Sequence, residues 1–356
     1  MLGRVPVSAQ QIKAVAREAG FELAGITSAL PSPDFARYQT WVERGMAGKM
    51  GYLTDRRAAV RQDPRNLLPS AQSILCLGKL YNTDHPLSTD SGAGDPWISR
   101  YAWGRRDYHD VLREGMQAIV DRLRDMTEFE YKICVDTAPL LERSYARAAG
   151  LGWIGKNTCL INQDQGSWFF LGEILLSLEI PPDGPPPDRC GTCARCIDAC
   201  PTAAIVASQD PAGGYSIDSR LCISYLTIEL KGSIPQSIRP AIGRHIFGCD
   251  ICQDVCPWNS RASITGETAF DQSVHPDAER FSYLSPDEIR LTFRESPLSR
   301  AKESGFLRNV ATVMGNLKRE EFRLPLLHLS RSSDPIVKEH ALWSLEQLDS
   351  RTGDLD

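Results

Sequence analysis

Eight cysteines crowded into the 67 positions from Cys190 to Cys256 constrain this chain more than anything else in its 356 residues. Thiols this close along a chain end up close in space, where they are oxidised to disulfides or hold metal. The run Cys190-Gly-Thr-Cys193-Ala-Arg-Cys196-Ile-Asp-Ala-Cys200-Pro201 spaces them C-x₂-C-x₂-C-x₃-C-P. Three thiolates at such intervals let one tight loop wrap three corners of a four-iron cube, while the fourth, carried off by a helix start, ligates a second cube. The proline that follows fixes the backbone and withholds an N–H.

A second run, Cys249-Asp-Ile-Cys252-Gln-Asp-Val-Cys256-Pro257, matches only the last three positions, because Ile246 stands where a fourth cysteine belongs. Cys222 is the spare cysteine nearby. Exchanging the last cysteines between the runs closes the count. Cys190, Cys193, Cys196 and Cys256 then hold one [4Fe–4S] cluster, and Cys200, Cys222, Cys249 and Cys252 the other. Two zinc ions would also use eight thiolates, but structural zinc takes C-x₂-C pairs separated by a longer loop rather than three cysteines in one run. The three scattered cysteines, Cys76, Cys134 and Cys159, lie in or beside apolar stretches and read as inert core residues.

Disulfides are the poorer account because nothing points to export. The first residues, MLGRVPVSAQ, contain no apolar leader and no paired arginines, and Ser8 with Gln11 reads as a capping box opening a helix that Gly20 closes. No run of about 18 apolar residues occurs that would span a membrane. The expected location is the cytoplasm, where thiols stay reduced. A net charge of −5 gives no overall pull toward nucleic acid, yet Arg37–Arg65 and Arg300–Arg331 each hold seven basic and three acidic residues. A solvated surface accounts for such local excess as well as a basic face does.

Periodicity divides the chain into three. Residues 1–180 read as mixed α and β, with helices over 8–19, 34–46, 107–126 and 139–149 and strands over 22–26, 73–80, 131–135, 158–162 and 168–179. The last two strands flank Gln163-Asp164-Gln165-Gly166, a hairpin-like turn. A proline-rich joint over 181–187 breaks regular structure, and the cysteine-rich, ferredoxin-like module extends to about residue 265. The remainder, 266–356, is helical, with amphipathic segments over 306–317, 320–329 and 334–348 that resemble one HEAT-type repeat. The fold class is thus α+β.

About 180 residues precede the cluster module, far more than an electron carrier needs. Their densest polar segment is Asp136-Thr-Ala-Pro-Leu-Leu-Glu-Arg143, continued by Gly150-Leu-Gly-Trp-Ile-Gly-Lys-Asn157. Asp136 ends a strand and Pro139 opens the next helix. A carboxyl beside apolar neighbours has a raised pKa and donates protons; a helix cap is the plainer role for Asp136 or Thr137. Gly150, Gly152 and Gly155 have dinucleotide-site spacing but follow a helix rather than a strand, so they do not make one.

These segments, together with Tyr101, Asp107-Tyr-His109, Cys222-Ile-Ser-Tyr-Leu-Thr-Ile-Glu229 and Cys249 through Asn259, resemble the epoxyqueuosine reductases over nearly the whole length. The resemblance implies an N-terminal catalytic domain, residues 1–180, that binds cobalamin. It also implies the last step in making queuosine at the tRNA wobble position: an epoxide loses its oxygen to leave a cyclopentene, taking up two electrons and two protons and releasing water. Electrons would pass from the two clusters to cobalt, and a buried, protonated Asp136 would donate to the departing oxygen.

The remaining candidates follow from that resemblance. Residues flanking cluster ligands should lie between cluster and corrin, which nominates Ser224 and Asp250 beside Asp136, with Arg61, Tyr101 and Lys156 for corrin amides or phosphate. The D-x-H-x-x-G signature of a histidine-ligated corrinoid is absent, since Leu112 stands three positions after His109, so His109 reads as a structural histidine. Lys231, Arg308, Lys318 and Arg319 are the expected RNA phosphate contacts, and Trp258 a lid over a cluster. Expected partners are tRNA carrying epoxyqueuosine and an unidentified electron donor, with no membrane and a monomer as the working unit. Two rivals stand beside this reading: a corrinoid reductase of small molecules, resembling the reductive dehalogenases, and a non-catalytic electron-transfer protein.

Overall fold

The computed structural model describes residues 7–89, 94–210 and 213–352. The capping box at Ser8 and Gln11 forms and opens α1 (Ala9–Glu18), and Gly20 takes the left-handed conformation, φ 87°, that ends the helix. After β1 (Leu23–Ser28) come α2 (Phe35–Glu43) and two single turns, α3 (Gly51–Thr54) and α4 (Arg57–Val60). Next are β2 (Ser73–Leu80), β3 (Trp97–Ile98), α5 (Tyr108–Arg124), β4 (Tyr131–Cys134), α6 (Glu142–Ala148), β5 (Trp153–Ile154), β6 (Leu160–Ile161) and β7 (Phe169–Leu176).

Strands β1, β2, β7 and β4 form, in that order, an antiparallel sheet. Both of its faces are covered. Leu75, Leu77, Phe170 and Ile174 pack on the side of α1 and α5, while Ile74, Cys76, Phe169 and Leu175 pack on the side of α6. That is why β2 and β7 read as continuous apolar runs rather than as alternating ones.

Two local expectations fail. The helix placed over 139–149 begins only at Glu142, with Leu141 at its cap position, so Pro139 does not open it and neither Asp136 nor Thr137 caps it. The strand placed over 158–162 shrinks to β6, which pairs with β5 instead of β7. The glycines before it serve that pairing, because a Cβ on Gly152 would lie 2.2 Å from the Ile161 carbonyl oxygen.

No regular structure spans the proline-rich joint. The cysteine-rich module follows with α7 (Arg195–Asp198), a hairpin of β8 (Ile205–Ala207) and β9 (Tyr215–Ile217), β10 (His245–Phe247) and α8 (Ile251–Asp254). Strand β10 pairs in parallel with β3 of the preceding region. The last part holds α9 (Ala278–Ser282), α10 (Pro286–Thr292), α11 (Lys302–Leu317), α12 (Arg323–Leu329) and α13 (Pro335–Thr352). The segment expected as one helix over 320–329 is split, with a 3₁₀ turn at Glu320–Phe322 preceding α12. The core of these helices takes in Trp97, Ile98, Trp103, Ile228, Ile246 and Phe247, so it reaches well outside residues 266–356. Among the described residues no helix is long and apolar enough to cross a membrane.

Candidate active site

All eleven cysteines are free thiols. Cys190, Cys193, Cys196 and Cys256 line a single cavity of about 250 Å³ together with Trp258 and Lys156. The Trp153 indole N–H points at Cys190 Sγ, 3.5 Å away, and Trp258 meets Trp153 edge-on at 4.9 Å, so two indoles wall the thiols in. Lys156, expected at the corrin, lies beside the first thiol group. Its ammonium donates to the carbonyls of Gly191 (2.7 Å) and Cys193 (2.9 Å), fastening the loop that carries the ligands.

The other four thiols form a second group. Cys249 is within electrostatic reach of Cys222 and Cys200, and Cys252 of Cys249 and Cys222. The Ser224 hydroxyl hydrogen-bonds the Cys222 thiol. The eight thiols thus gather as four and four. Cys159 is not an inert core residue, since it shares a side-chain hydrogen bond with Cys252.

The carboxylate site is built around an unusual backbone. β4 ends at Cys134, and two residues on Asp136 adopts φ 48°, a left-handed conformation that Asp tolerates better than most residues. Its N–H donates to Glu142 Oε1 at 2.5 Å, which closes the turn leading into α6. Its Oδ2 lies 3.2 Å from His109 Nε2. The other ring nitrogen, Nδ1, lies 2.8 Å from an Arg300 guanidinium nitrogen and 3.0 Å from Asp107 Oδ1. Arg300 also pairs with Asp107 at 3.3 Å and lies over the Tyr108 ring. The two contacts make opposite demands on Nδ1, since Asp107 accepts from a protonated nitrogen and Arg300 donates only to a bare one, while Nε2 faces Asp136.

This network corrects the expectation of a protonated Asp136. Burial would raise its pKa, but the hydrogen bond from His109 and the charges of His109 and Arg300 outweigh it, and the carboxyl stays below its ordinary value. For His109 burial lowers the pKa, yet hydrogen bonds to Asp107 and Asp136 prevail and raise it. At rest the shared proton belongs to the histidine. His109 is therefore part of the site rather than a packing residue. Behind it, burial and then the Asp136 charge push Glu142 up to about 8.

The Asp136 side chain is 54% exposed, so its second oxygen is available. Tyr101 and Tyr52 lie within the electrostatic reach of Asp136 and Arg300, and so does Glu229. Glu229 ends the segment that starts at Cys222, which brings this polar surround to the backbone of the second thiol group. Two residues expected at the corrin make contacts within the protein. Asp250 is buried and accepts from Ser99, from Arg100 N (2.8 Å) and from Trp97 Nε1 (3.2 Å). Arg61 is buried, donates to the Tyr52 carbonyl at 3.2 Å and lies over the Tyr38 ring.

The expected RNA contacts divide likewise. Arg308 is fully buried and bonded to backbone carbonyls, and Lys231 donates to the carbonyls of Ile228 (3.1 Å) and Arg300 (2.7 Å). Arg308 is therefore not placed to meet a phosphate, whereas Lys231 remains exposed. Lys318 is exposed at the left-handed end of α11, while Arg319 is part-exposed and paired with Asp95 and Glu321. Residue type alone did not reveal Arg300, Tyr52 or Glu142 as site residues. Glu142 and Glu229 lay inside the quoted motifs; Arg300 and Tyr52 carried no signal.

Two sets of four thiols in a fold that also holds a carboxylate–histidine pair point to an iron–sulfur oxidoreductase. Residues 189–259 match the family described as a 4Fe-4S double cluster binding domain, and residues 61–137 that described as "Epoxyqueuosine reductase QueG, DUF1730". An epoxyqueuosine reductase of Xanthomonas campestris is 41% identical over 96% of this chain and 96% of its own length. One of Pseudomonas aeruginosa is 39% identical over 95% and 94%. A crystal structure of epoxyqueuosine reductase with an epoxyqueuosine-modified tRNA-Tyr stem loop superposes with a TM-score of 0.86 at 27% identity, covering 95% of this chain and 89% of that one. A Bacillus subtilis reductase structure (TM-score 0.83, 27% identity, 95% and 90% covered) has the loop of its catalytic aspartate swung out of the active site. The chain belongs to the epoxyqueuosine reductase family.

Proposed function

We propose that this chain removes the epoxide oxygen of epoxyqueuosine in tRNA, with Asp136 as the group that delivers a proton to the departing oxygen. The observation that carries the reading is the Asp136–His109 pair: a half-exposed carboxylate whose hidden oxygen meets a ring N–H at 3.2 Å. As negative charge grows on the leaving oxygen, Asp136 passes on the proton that His109 shares with it. Arg300 and Asp107, at 2.8 and 3.0 Å from the far ring nitrogen, hold the imidazole with Nε2 toward Asp136. General-acid help of this kind is worth about 10²–10⁴ in rate. The balance is two electrons and two protons in, one water out and a carbon–carbon double bond formed.

Cobalamin, when bound, supplies the low-valent cobalt that delivers electrons to the epoxide carbon. Residues of this chain suited to hold it are Tyr52, Tyr101, Ser224 and Glu229, polar groups brought together around Asp136 and the Cys222 segment, with Asp136 itself facing the reacting atoms. The two clusters would relay electrons singly from the donor protein. Lys231, Lys318 and Arg319 are the candidates for RNA phosphate, and an anticodon-loop base is already unpaired, so it enters a pocket at modest cost.

The test is direct. Anaerobically reconstituted protein with cobalamin and a chemical reductant is given tRNA carrying epoxyqueuosine, and the digested nucleosides are weighed by mass spectrometry. Loss of one oxygen is the expected result. Iron incorporation without any conversion, with cobalamin present, would sink the proposal and leave an electron carrier.

A further inference from the structure

Helix α11 carries three fully buried polar side chains that the reaction as drawn does not use, and two of them, Arg308 and Asn309, reach outside the helix. A guanidinium sealed from water must spend its donors on protein acceptors, and Arg308 spends them on one stretch of backbone. It donates to the carbonyls of Leu226 (2.6 Å), Leu230 (2.8 Å) and Gly232 (2.5 Å). That stretch is the wide π-type turn Tyr225–Glu229, in which Leu230 N reaches back to the Tyr225 carbonyl at 3.0 Å. Such turns are rare and concentrate at functional sites.

Asn309 extends the network in a second direction. Its oxygen accepts from Arg308 Nε at 3.1 Å, which orients the guanidinium. Its amide nitrogen donates to the carbonyls of Thr227 (2.7 Å) and Ile246 (2.8 Å). The Thr227 hydroxyl, also fully buried, donates to the Ile223 carbonyl at 2.7 Å and accepts from Gly248 N at 2.9 Å. Ile223 follows Cys222, and Gly248 precedes Cys249. One buried network therefore joins α11 to the backbone beside both cysteines.

In the first thiol group three of the four cysteines, Cys190, Cys193 and Cys196, are fixed by one loop, and Cys256 comes from the second run. Cys222 belongs to no local run. Its separation from Cys249 has to be set by tertiary structure.

We propose that Arg308, Asn309 and Thr227 are positioning residues for the second cluster, clamping the Cys222 and Cys249 segments at the spacing a four-iron cube requires. The clamp rests on the assignment of Cys200, Cys222, Cys249 and Cys252 to one cluster. It also makes α11, expected from its charge to be an RNA platform, part of the redox site. Since Ser224 and Glu229 ride on the same wide turn, it sets their placement relative to Asp136 as well.

The experiment follows iron release from the reconstituted holoprotein to a chelator under anaerobic conditions, with EPR spectra of the reduced protein alongside. Asn309→Ala and the milder Thr227→Val should release about half of the iron at least about tenfold faster than the parent, the scale expected when buried hydrogen bonds of about 1–3 kcal/mol are removed. The other half should leave at the parental rate, and Thr227→Ser should restore the parental behaviour. Cys222→Ser identifies which half belongs to the second cluster. Asn316→Ala is the control for general loosening of α11, because Asn316 donates to the carbonyls of Arg239 (2.8 Å) and Gly243 (2.9 Å), away from the thiols. Equal acceleration of both halves, parental release in both variants, or the same selective loss in Asn316→Ala would overturn the clamp. A parent that takes up fewer than about eight iron would overturn the cluster assignment beneath it.

Discussion

Cys190, Cys193 and Cys196 come from one short loop, whereas Asp136, His109, Glu142 and Arg300 come from a strand end, the starts of two helices and a 3₁₀ turn far apart in sequence. The first site needs little beyond its own spacing and a covering pair of indoles. The second exists only because the sheet, α5 and the turn at Pro297–Ala301 are packed together, and its protonation state is the product of four partners. Chemistry that a metal organises tolerates local construction. Chemistry that depends on where one proton sits does not.

The comparison is broken most severely by removing a thiolate. Cys249→Ala should lower iron from about eight to about four per chain and abolish conversion of modified tRNA, as read by iron analysis and nucleoside mass spectrometry. Asp136→Ala should leave iron and visible spectrum as they were while conversion falls by about 10²–10⁴. Equal loss of iron in that variant would mean the two regions are not separable.

The pH dependence sharpens the difference further. His109 has a raised pKa, so its charged form is complete at low pH and is lost as pH rises through the folded-state value. Asp136 has a lowered pKa, so its charge persists until pH falls through a value below the ordinary carboxylate range. Conversion should therefore decline on the basic side, with a limb above the ordinary histidine value. Asp107→Asn removes a raising partner of His109 and should move that limb to lower pH, while the spectrum of the clusters stays the same. A limb that does not move would take His109 out of proton delivery.

The smallest effect is expected at the RNA surface. Lys318→Ala should weaken binding of a tRNA stem loop and reduce the salt slope by about one, measured by titration at several salt concentrations. Arg319→Ala should do less, since Arg319 is already engaged by Asp95 and Glu321.

Much of this was legible from residue order. Spacing, with Cys222 as the spare thiol, suggested how the eight thiols divide, and the apolar runs located β2 and β4 to within a residue and β7 with three residues too many at its end. α1 is announced by its capping box and α5 begins where Asp107 caps it. Boundaries fixed by tertiary contact were not legible. The start of α6 moved from Pro139 to Glu142 because the Asp136 N–H claims the Glu142 carboxylate, and β6 pairs with β5 because the glycines let the two backbones approach.

Charge was the least faithful guide. Arg308 is a basic residue in a basic stretch, and nothing in sequence distinguishes it from Lys318; burial alone turns its donors inward onto carbonyls. The chain by itself determined the metal chemistry, since cysteine spacing is a one-dimensional property that a short loop converts directly into a ligand set. Tertiary structure decided where the proton rests, because the pKa values of Asp136 and His109 depend on Arg300 and Asp107 as neighbours, and neighbourhood across such separations is a property only of the folded chain.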